Sequence, residues 1–173
     1  MPLQFNSSSE HTLGVEIELG VVDRDTCDLV PRARDILDKV PQDWQEFVKP
    51  EFMQGYLEFN TSVCKTVDEV RADLQSKFEW GYEVAAESNA TFLWSGTHPF
   101  ARWDSQVLSP DERYQWLMDT MQLVARRIVC FGLHVHVGVD GGDKAIQMCD
   151  RLMRHLPVML ALSANSPCWC GND

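Results

Sequence analysis

Glu16 and Glu18, Glu58 with Glu51 seven residues upstream, and His134 with His136 are the residues of this chain whose types and spacing could do chemistry. Carboxylates and imidazoles gathered on one surface make a donor set for a divalent cation. In residues 12–22, Leu13, Val15, Ile17, Leu19 and Val21 alternate with Gly14, Glu16, Glu18 and Gly20, the pattern of a half-buried strand. Side chains two apart on a strand share a face, roughly 7 Å from one another, so Glu16 and Glu18 stand side by side. An outer face of solvated glutamates would give the same pattern. The flanking glycines favour a site, because bare backbone beside the carboxylates leaves room for a ligand.

Residues 132–140 repeat the pattern with imidazole. Leu133, Val135, Val137 and Val139 share one face, and Gly132, His134, His136, Gly138 and Asp140 share the other. An HxH pair can be two satisfied edge residues, but neutral imidazole is also a common ligand of divalent metals. In residues 50–61, Tyr56, Glu58 and Asn60 lie opposite Leu57 and Phe59, with Glu51 just ahead of the strand. A set dominated by carboxylates suits Mg²⁺ or Mn²⁺ better than zinc.

These strands must be held by helices. Thr66 with Glu69 three residues later has the form of a capping box, and Val67, Val70, Leu74, Phe78, Tyr82 and Ala85 keep helical spacing to about residue 89. Residues 109–112 (Ser-Pro-Asp-Glu) predict a second helix with Pro110 in its first position, leading Leu117, Met121, Val124 and Ile128 along one face. A third helix, capped by Asp143, carries Ile146, Cys149, Leu152, Met153 and Leu156 as core, with Pro157 kinking or restarting it. A turn at 23–28 leads to a short return strand at Leu29 and Val30, and residues 92–94 read as another strand ending in the loop 95–100. Alternating strands separated by long helical excursions predict an α+β fold, with one polar sheet face and helices packed on the other.

The chain has 173 residues, 45% of them hydrophobic and 24% charged, without repeats or a low-complexity linker, which predicts a single domain over 1–173. No basic and apolar leader and no membrane-length run is read, so a cytoplasmic location is expected. A net charge of −11 argues against nucleic-acid and membrane-surface roles. Six scattered cysteines in such a chain are expected to be reduced, and a nucleophilic role for Cys168 or Cys170 has no motif behind it.

Five motifs in order (Gly14-Val-Glu-Ile-Glu18, Glu51 through Leu57-Glu-Phe-Asn-Thr61, Gly96-Thr-His-Pro-Phe100, Gly132-Leu-His-Val-His-Val-Gly138 and Leu162-Ser-Ala-Asn-Ser-Pro167) together resemble the type 2 glutamate-cysteine ligases, or carboxylate-amine ligases. The resemblance implies a curved antiparallel sheet like that of glutamine synthetase. It implies ATP as co-substrate, Mg²⁺ (or Mn²⁺), and joining of the glutamate γ-carboxylate to an amine, cysteine by default, in glutathione biosynthesis. Glu16, Glu18, Glu51, Glu58 and His134 would be metal ligands; His136, Thr97, His98 and Asn165 would contact substrate or nucleotide. Family members are about twice as long. The resemblance therefore covers an N-terminal half, and an open sheet edge with an apolar patch implies either homo-oligomers or a missing C-terminal half. A catalytically incomplete fragment and a metal-dependent hydrolase are the competing readings.

Overall fold

Hydrophobic alternation in residues 13–23 builds the strand on which the rest of the sheet is assembled. In the computed structural model, which describes residues 4–172, β1 (Leu13–Asp23) pairs antiparallel along one edge with β3 (Tyr56–Asn60), and β3 pairs with β2 (Val48–Pro50). The other edge of β1 is shared. β5 (Leu133–Val137) pairs with residues 13–17 and β4 (Ala90–Leu93) with residues 20–23, so the sheet forks where β4 and β5 diverge. The short hairpin after β1 closes by a single bridge between Val22 and Leu29.

One face of this sheet is covered as expected. Leu19, Val21, Leu57 and Phe59 are buried against α1 (Ala33–Leu37) and the long helix α2 (Val67–Glu87). Thr66 caps α2 by accepting the Glu69 N–H at 3.2 Å, while the Glu69 carboxylate takes the Lys65 N–H at 2.6 Å. The buried stripe of α2 is rotated from the one its apolar residues predict. Val67 and Tyr82 are exposed, and Leu74, Lys77, Gly81, Val84 and Ala85 face the sheet. Lys77 can enter because Asp73 pairs with its ammonium, the Phe47 ring lies 4.8 Å beneath it, and Asp73 is in turn held by Ser62.

A second apolar cluster closes the far end of the polar face. Val22, Tyr56, Tyr114, Ala125, Val129 and Phe131 meet there, beneath α3 (Glu112–Met121) and α4 (Leu123–Arg126). The single helix expected from Pro110 to residue 128 is divided: Asp111, not Ser109, caps α3, and Gln122 at φ +50° breaks it. Ser109 is diverted because its hydroxyl donates to the Glu51 carbonyl at 2.5 Å. The third helix also departs from expectation. Gly141 rather than Asp143 precedes α5 (Gly142–Met153), and Pro157 restarts the chain as α6 (Leu156–Ser163). Neither helix buries a residue, and Leu133, Val135 and Val137 are exposed as well, so these stripes are not core within this chain.

Candidate functional site

The antiparallel register gathers the predicted ligands into two adjoining groups. β1 places Glu18 opposite Glu58 and Glu16 opposite both Asn60 and His134. Glu51, delivered by the turn after β2, completes the first group: carboxylate oxygens of Glu18, Glu51 and Glu58 all lie within 4.8 Å of one another. The second group is Glu16 with His134 Nδ1 at 3.1 Å and His136 Nε2 at 3.3 Å. Gly132 joins the two. A Cβ there would stand 3.2 Å from His134 Nε2 and 3.3 Å from Glu18 Oε1, so only glycine lets imidazole and carboxylate share this strip without displacement. Its N–H also donates to Glu18 Oε2 at 2.8 Å. Gly20 plays another part: the Phe131 ring and Leu29 fill the space above it, leaving no room there for a ligand.

The electrostatics differ between the groups. Burial, reinforced by the charges of Glu18 and Glu58, pushes the Glu51 carboxyl up to about 7, against one N–H bond from Phe52. Burial likewise raises Glu18, with Glu58 adding repulsion. Burial would also raise Glu16, but the hydrogen bonds and charges of His134 and His136 outweigh it and hold Glu16 below its ordinary value. Among the described residues no lysine or arginine lies within ion-pair distance of Glu18, Glu51 or Glu58. Converging carboxylates without a counter-charge are costly unless a cation joins them. The all-oxygen donor set of the first group fits Mg²⁺ or Mn²⁺, and the mixed set around Glu16 is also compatible with Mn²⁺.

The four predicted substrate contacts separate. His136 remains on the acidic face. Asn165 lines a cavity of about 480 Å³ at the fork, together with Glu18, Trp94, Gly96, Leu133 and Leu162. Thr97 lies beside that cavity, its N–H donating to Ser166 Oγ at 3.0 Å and its hydroxyl to the Cys168 carbonyl at 3.3 Å. His98 is buried elsewhere, Nε2 against the Cys27 carbonyl at 2.9 Å and Nδ1 accepting the Ala101 N–H at 2.9 Å. With Nδ1 accepting, Nε2 carries the proton, and both nitrogens are spent on the loop.

Two residues of the face were given no site role in the sequence reading. Asn60 is buried, donates to Glu58 Oε1 at 2.5 Å, and keeps a buried Oδ1 without a partner. Its place in the β3 alternation was the available signal. Lys49 stands opposite Glu58 in register and, with Glu16, Asn60, Thr61 and His136, borders a second cavity of about 200 Å³; no motif marks it.

Residues 12–173 match the family described as Glutamate-cysteine ligase family 2. The chain is 42% identical over 175 residues to a protein of Gloeobacter violaceus named "Putative glutamate–cysteine ligase 2", covering 100% of this chain and 47% of that one. It is 38% identical over 175 residues to a protein of the same name from Bdellovibrio bacteriovorus, covering 99% of this chain and 45% of that one. The chain thus spans a little under half the length of these relatives. Among solved structures, a bifunctional glutathione synthetase from Pasteurella multocida superposes with a TM-score of 0.60 at 14% identity, over 84% of this chain and 18% of that one. The glutamate–cysteine ligase of Francisella tularensis in complex with AMP gives 0.54 at 11% identity, over 87% of this chain and 30% of that one. At such identities these two likenesses concern the fold, an open antiparallel sheet with helices. Sequence and fold agree, and the chain belongs to glutamate-cysteine ligase family 2.

Proposed function

We propose that this chain supplies the metal-holding face of an ATP-dependent carboxylate-amine ligase that joins the γ-carboxylate of glutamate to an amine, cysteine by default. The observation that carries the reading is the convergence of Glu18, Glu51 and Glu58 within 4.8 Å with no lysine or arginine among the described residues paired to them. Glu18, Glu51 and Glu58 would hold one divalent cation, and Glu16 with His134 and His136 a neighbouring one. Such ions neutralise phosphate oxygens and offset charge that builds up in phosphoryl transfer. The chain's own residues set the geometry. The Gly132 N–H fixes the Glu18 carboxylate, Asn60 fixes Glu58, and the Phe52 N–H fixes Glu51.

In this reaction the γ-carboxylate of glutamate attacks the terminal phosphate of ATP, releasing ADP. The amine then displaces phosphate from the acyl phosphate, losing a proton as the amide forms. The cavity at the fork adjoins Glu18 and is walled by Trp94, Leu133 and Leu162, a place for the less polar part of a substrate beside the charged face. The name of the Francisella tularensis neighbour, which includes AMP, supports nucleotide use in this fold. No helix among the described residues is long and apolar enough to cross a membrane.

The test joins metal binding to turnover. Mn²⁺ binding, followed by electron paramagnetic resonance of the 173-residue chain, is expected to weaken on the order of tenfold or more in Glu18→Gln and Glu58→Gln. Phosphate release from ATP, assayed with the chain completed to its relatives' length, is expected to require Mg²⁺, glutamate and an amine together. Release that ignores glutamate would transfer the reading to a metal-dependent hydrolase. Mn²⁺ affinity unchanged in both variants would remove the metal site itself.

A further inference from the structure

Among the described residues, Lys77 is the only lysine, arginine, aspartate or glutamate that the fold buries, at 2% exposure. It rises from α2, which covers the apolar side of the sheet, whereas Glu58 and Asn60 alternate with Phe59 and point to the other side. A buried ion pair is often replaced by apolar side chains of similar size without loss of stability. Stability alone therefore does not account for a lysine at this position.

Its contacts give a better account. The ammonium pairs with Asp73 and lies 4.8 Å from the centre of the Phe47 ring and 6.0 Å from that of Trp44. Both Phe47 and Asp73 grip backbone at or beside Asn60. The Phe47 carbonyl accepts the Asn60 N–H at 2.6 Å, and Asp73 Oδ2 accepts the Ser62 N–H at 2.7 Å and the Ser62 hydroxyl at 2.8 Å. Between them Thr61 is tied to β1: its N–H donates to the Val15 carbonyl at 2.9 Å, and its Oγ1 accepts the Val15 N–H at 3.0 Å. Residues 60–62 are thus fastened one after another, and Lys77 underlies the first and the last of these attachments.

The fastening matters because the Asn60 side chain has a single hydrogen bond. Nδ2 donates to Glu58 Oε1 at 2.5 Å, while the buried Oδ1 has no partner. With nothing on Oδ1 to orient the amide, the backbone at residue 60 sets where Nδ2 stands. Nδ2 in turn sets one oxygen of Glu58, a member of the group that Glu58 forms with Glu18 and Glu51. Asn60 also lies opposite Glu16 in the register of β1 and β3, at the step between the two groups of metal-type ligands.

We propose that Lys77, with Asp73, is a positioning residue for the metal-holding face. The buried pair on the helix side of the sheet holds Phe47 and Ser62, these hold the backbone of Asn60, and Asn60 holds Glu58. This role rests on the metal site of the ligase reading.

The experiment places Lys77→Met in the 173-residue chain. Methionine fills much of the volume of lysine without its charge, and Asp73 keeps Ser62 as a partner. Two quantities are read: Mn²⁺ affinity by electron paramagnetic resonance, and the Asn60 side-chain amide signal by nuclear magnetic resonance of the metal-free protein. Partners one step beyond a ligand typically change metal affinity by about 10- to 100-fold, and Lys77 acts at one further remove, so a loss of about three- to tenfold is expected. The Asn60 signal is expected to move upfield as its bond to the Glu58 carboxylate lengthens. Lys39→Met removes the same charge from an exposed pair with Glu87 and is expected to change neither quantity. In an Asn60→Ala background, which lacks the amide through which Lys77 acts, Lys77→Met is expected to cost no further affinity. Should Lys77→Met not fold, Ser62→Ala is read in the same way, at an exposed residue that carries one arm of the attachment, with a loss of about two- to threefold expected.

A folded variant with unchanged Mn²⁺ affinity and an unmoved Asn60 signal would overturn the proposal. So would an equal loss with and without the Asn60 amide, which would leave Lys77 as structural support alone. If the natural chain binds no Mn²⁺, the metal site of the ligase reading fails, whereas the Asn60 signal, read without metal, still decides whether Lys77 positions Asn60.

Discussion

Residues 13–131 and residues 133–163 carry apolar side chains at the same strand and helix spacings, yet the first stretch holds every buried hydrophobic side chain among the described residues and the second holds none. The difference is not one of composition. α5 is the most sharply two-faced of the longer helices and α6 is almost wholly apolar, but among the described residues neither buries a side chain. An amphipathic pattern states which face requires cover; whether the same chain supplies that cover is a separate matter. The boundary also divides the metal-type ligands, leaving Glu18, Glu51 and Glu58 in the covered part and His134 and His136 on the first uncovered strand.

The largest effect that tests this contrast belongs to Phe59. It is fully buried, with the rings of Phe78 and Phe92 edge-on at 5.1 and 5.5 Å. Phe59→Ala is expected to cost about 3–5 kcal/mol of unfolding free energy, measured by urea titration. A loss below about 1 kcal/mol would mean that the covered half is not close-packed, and the contrast with 133–163 would dissolve from that side.

A smaller effect concerns the carboxylates at the boundary. Burial, with the charges of Glu18 and Glu58, raises Glu51 from 4.5 to about 7. The folded protein therefore binds this proton more tightly than the unfolded chain does. Its contribution is fully present below pH 4.5 and is lost as pH rises toward 7, the opposite of a carboxylate held by a salt bridge. With partial solvent access, the loss at this group is on the order of 1–2 kcal/mol. Unfolding midpoints at pH 5 and pH 8 in metal-free buffer, compared between the natural chain and Glu51→Gln, isolate it. The variant should lose less stability over that interval, and Mn²⁺ should offset the loss in the natural chain only. A larger loss in the variant would contradict the convergence of the three glutamates.

Much of this was legible in sequence because strand alternation is strict: once β1 and β3 are read, register alone brings Glu18 to Glu58. The Thr66 cap was equally legible, since its hydroxyl and the Glu69 N–H are local partners. What escaped depended on distant contacts. Burial of Lys77 requires Asp73, Phe47 and Trp44 to converge, which residue type alone argues against. The break at Gln122 uses a positive φ that glutamine seldom adopts. His98 looked like a contact because it stands in a motif, and only the fold shows both its nitrogens engaged by the backbone. The apolar stripes of α5 and α6 were read correctly as stripes and incorrectly as core, because among the described residues nothing buries them.

The smallest predicted effect is also the most direct probe of the uncovered half. Val135 and Leu160 are 61% and 71% exposed, so Val135→Thr and Leu160→Ala should each change the stability of the 173-residue chain by no more than about 0.5 kcal/mol. Threonine keeps the β-branched shape, and among the described residues β5 has a neighbour on one edge only, so neither pairing nor packing is removed. A loss above about 1.5 kcal/mol in both would mean that α5 and α6 fold back over β5 in solution. His134 and His136 would then be held as firmly as the three glutamates, and both metal groups would form in the chain alone. Near-zero effects in both would leave the apolar side of β5 and the stripe of α6 without cover among the described residues.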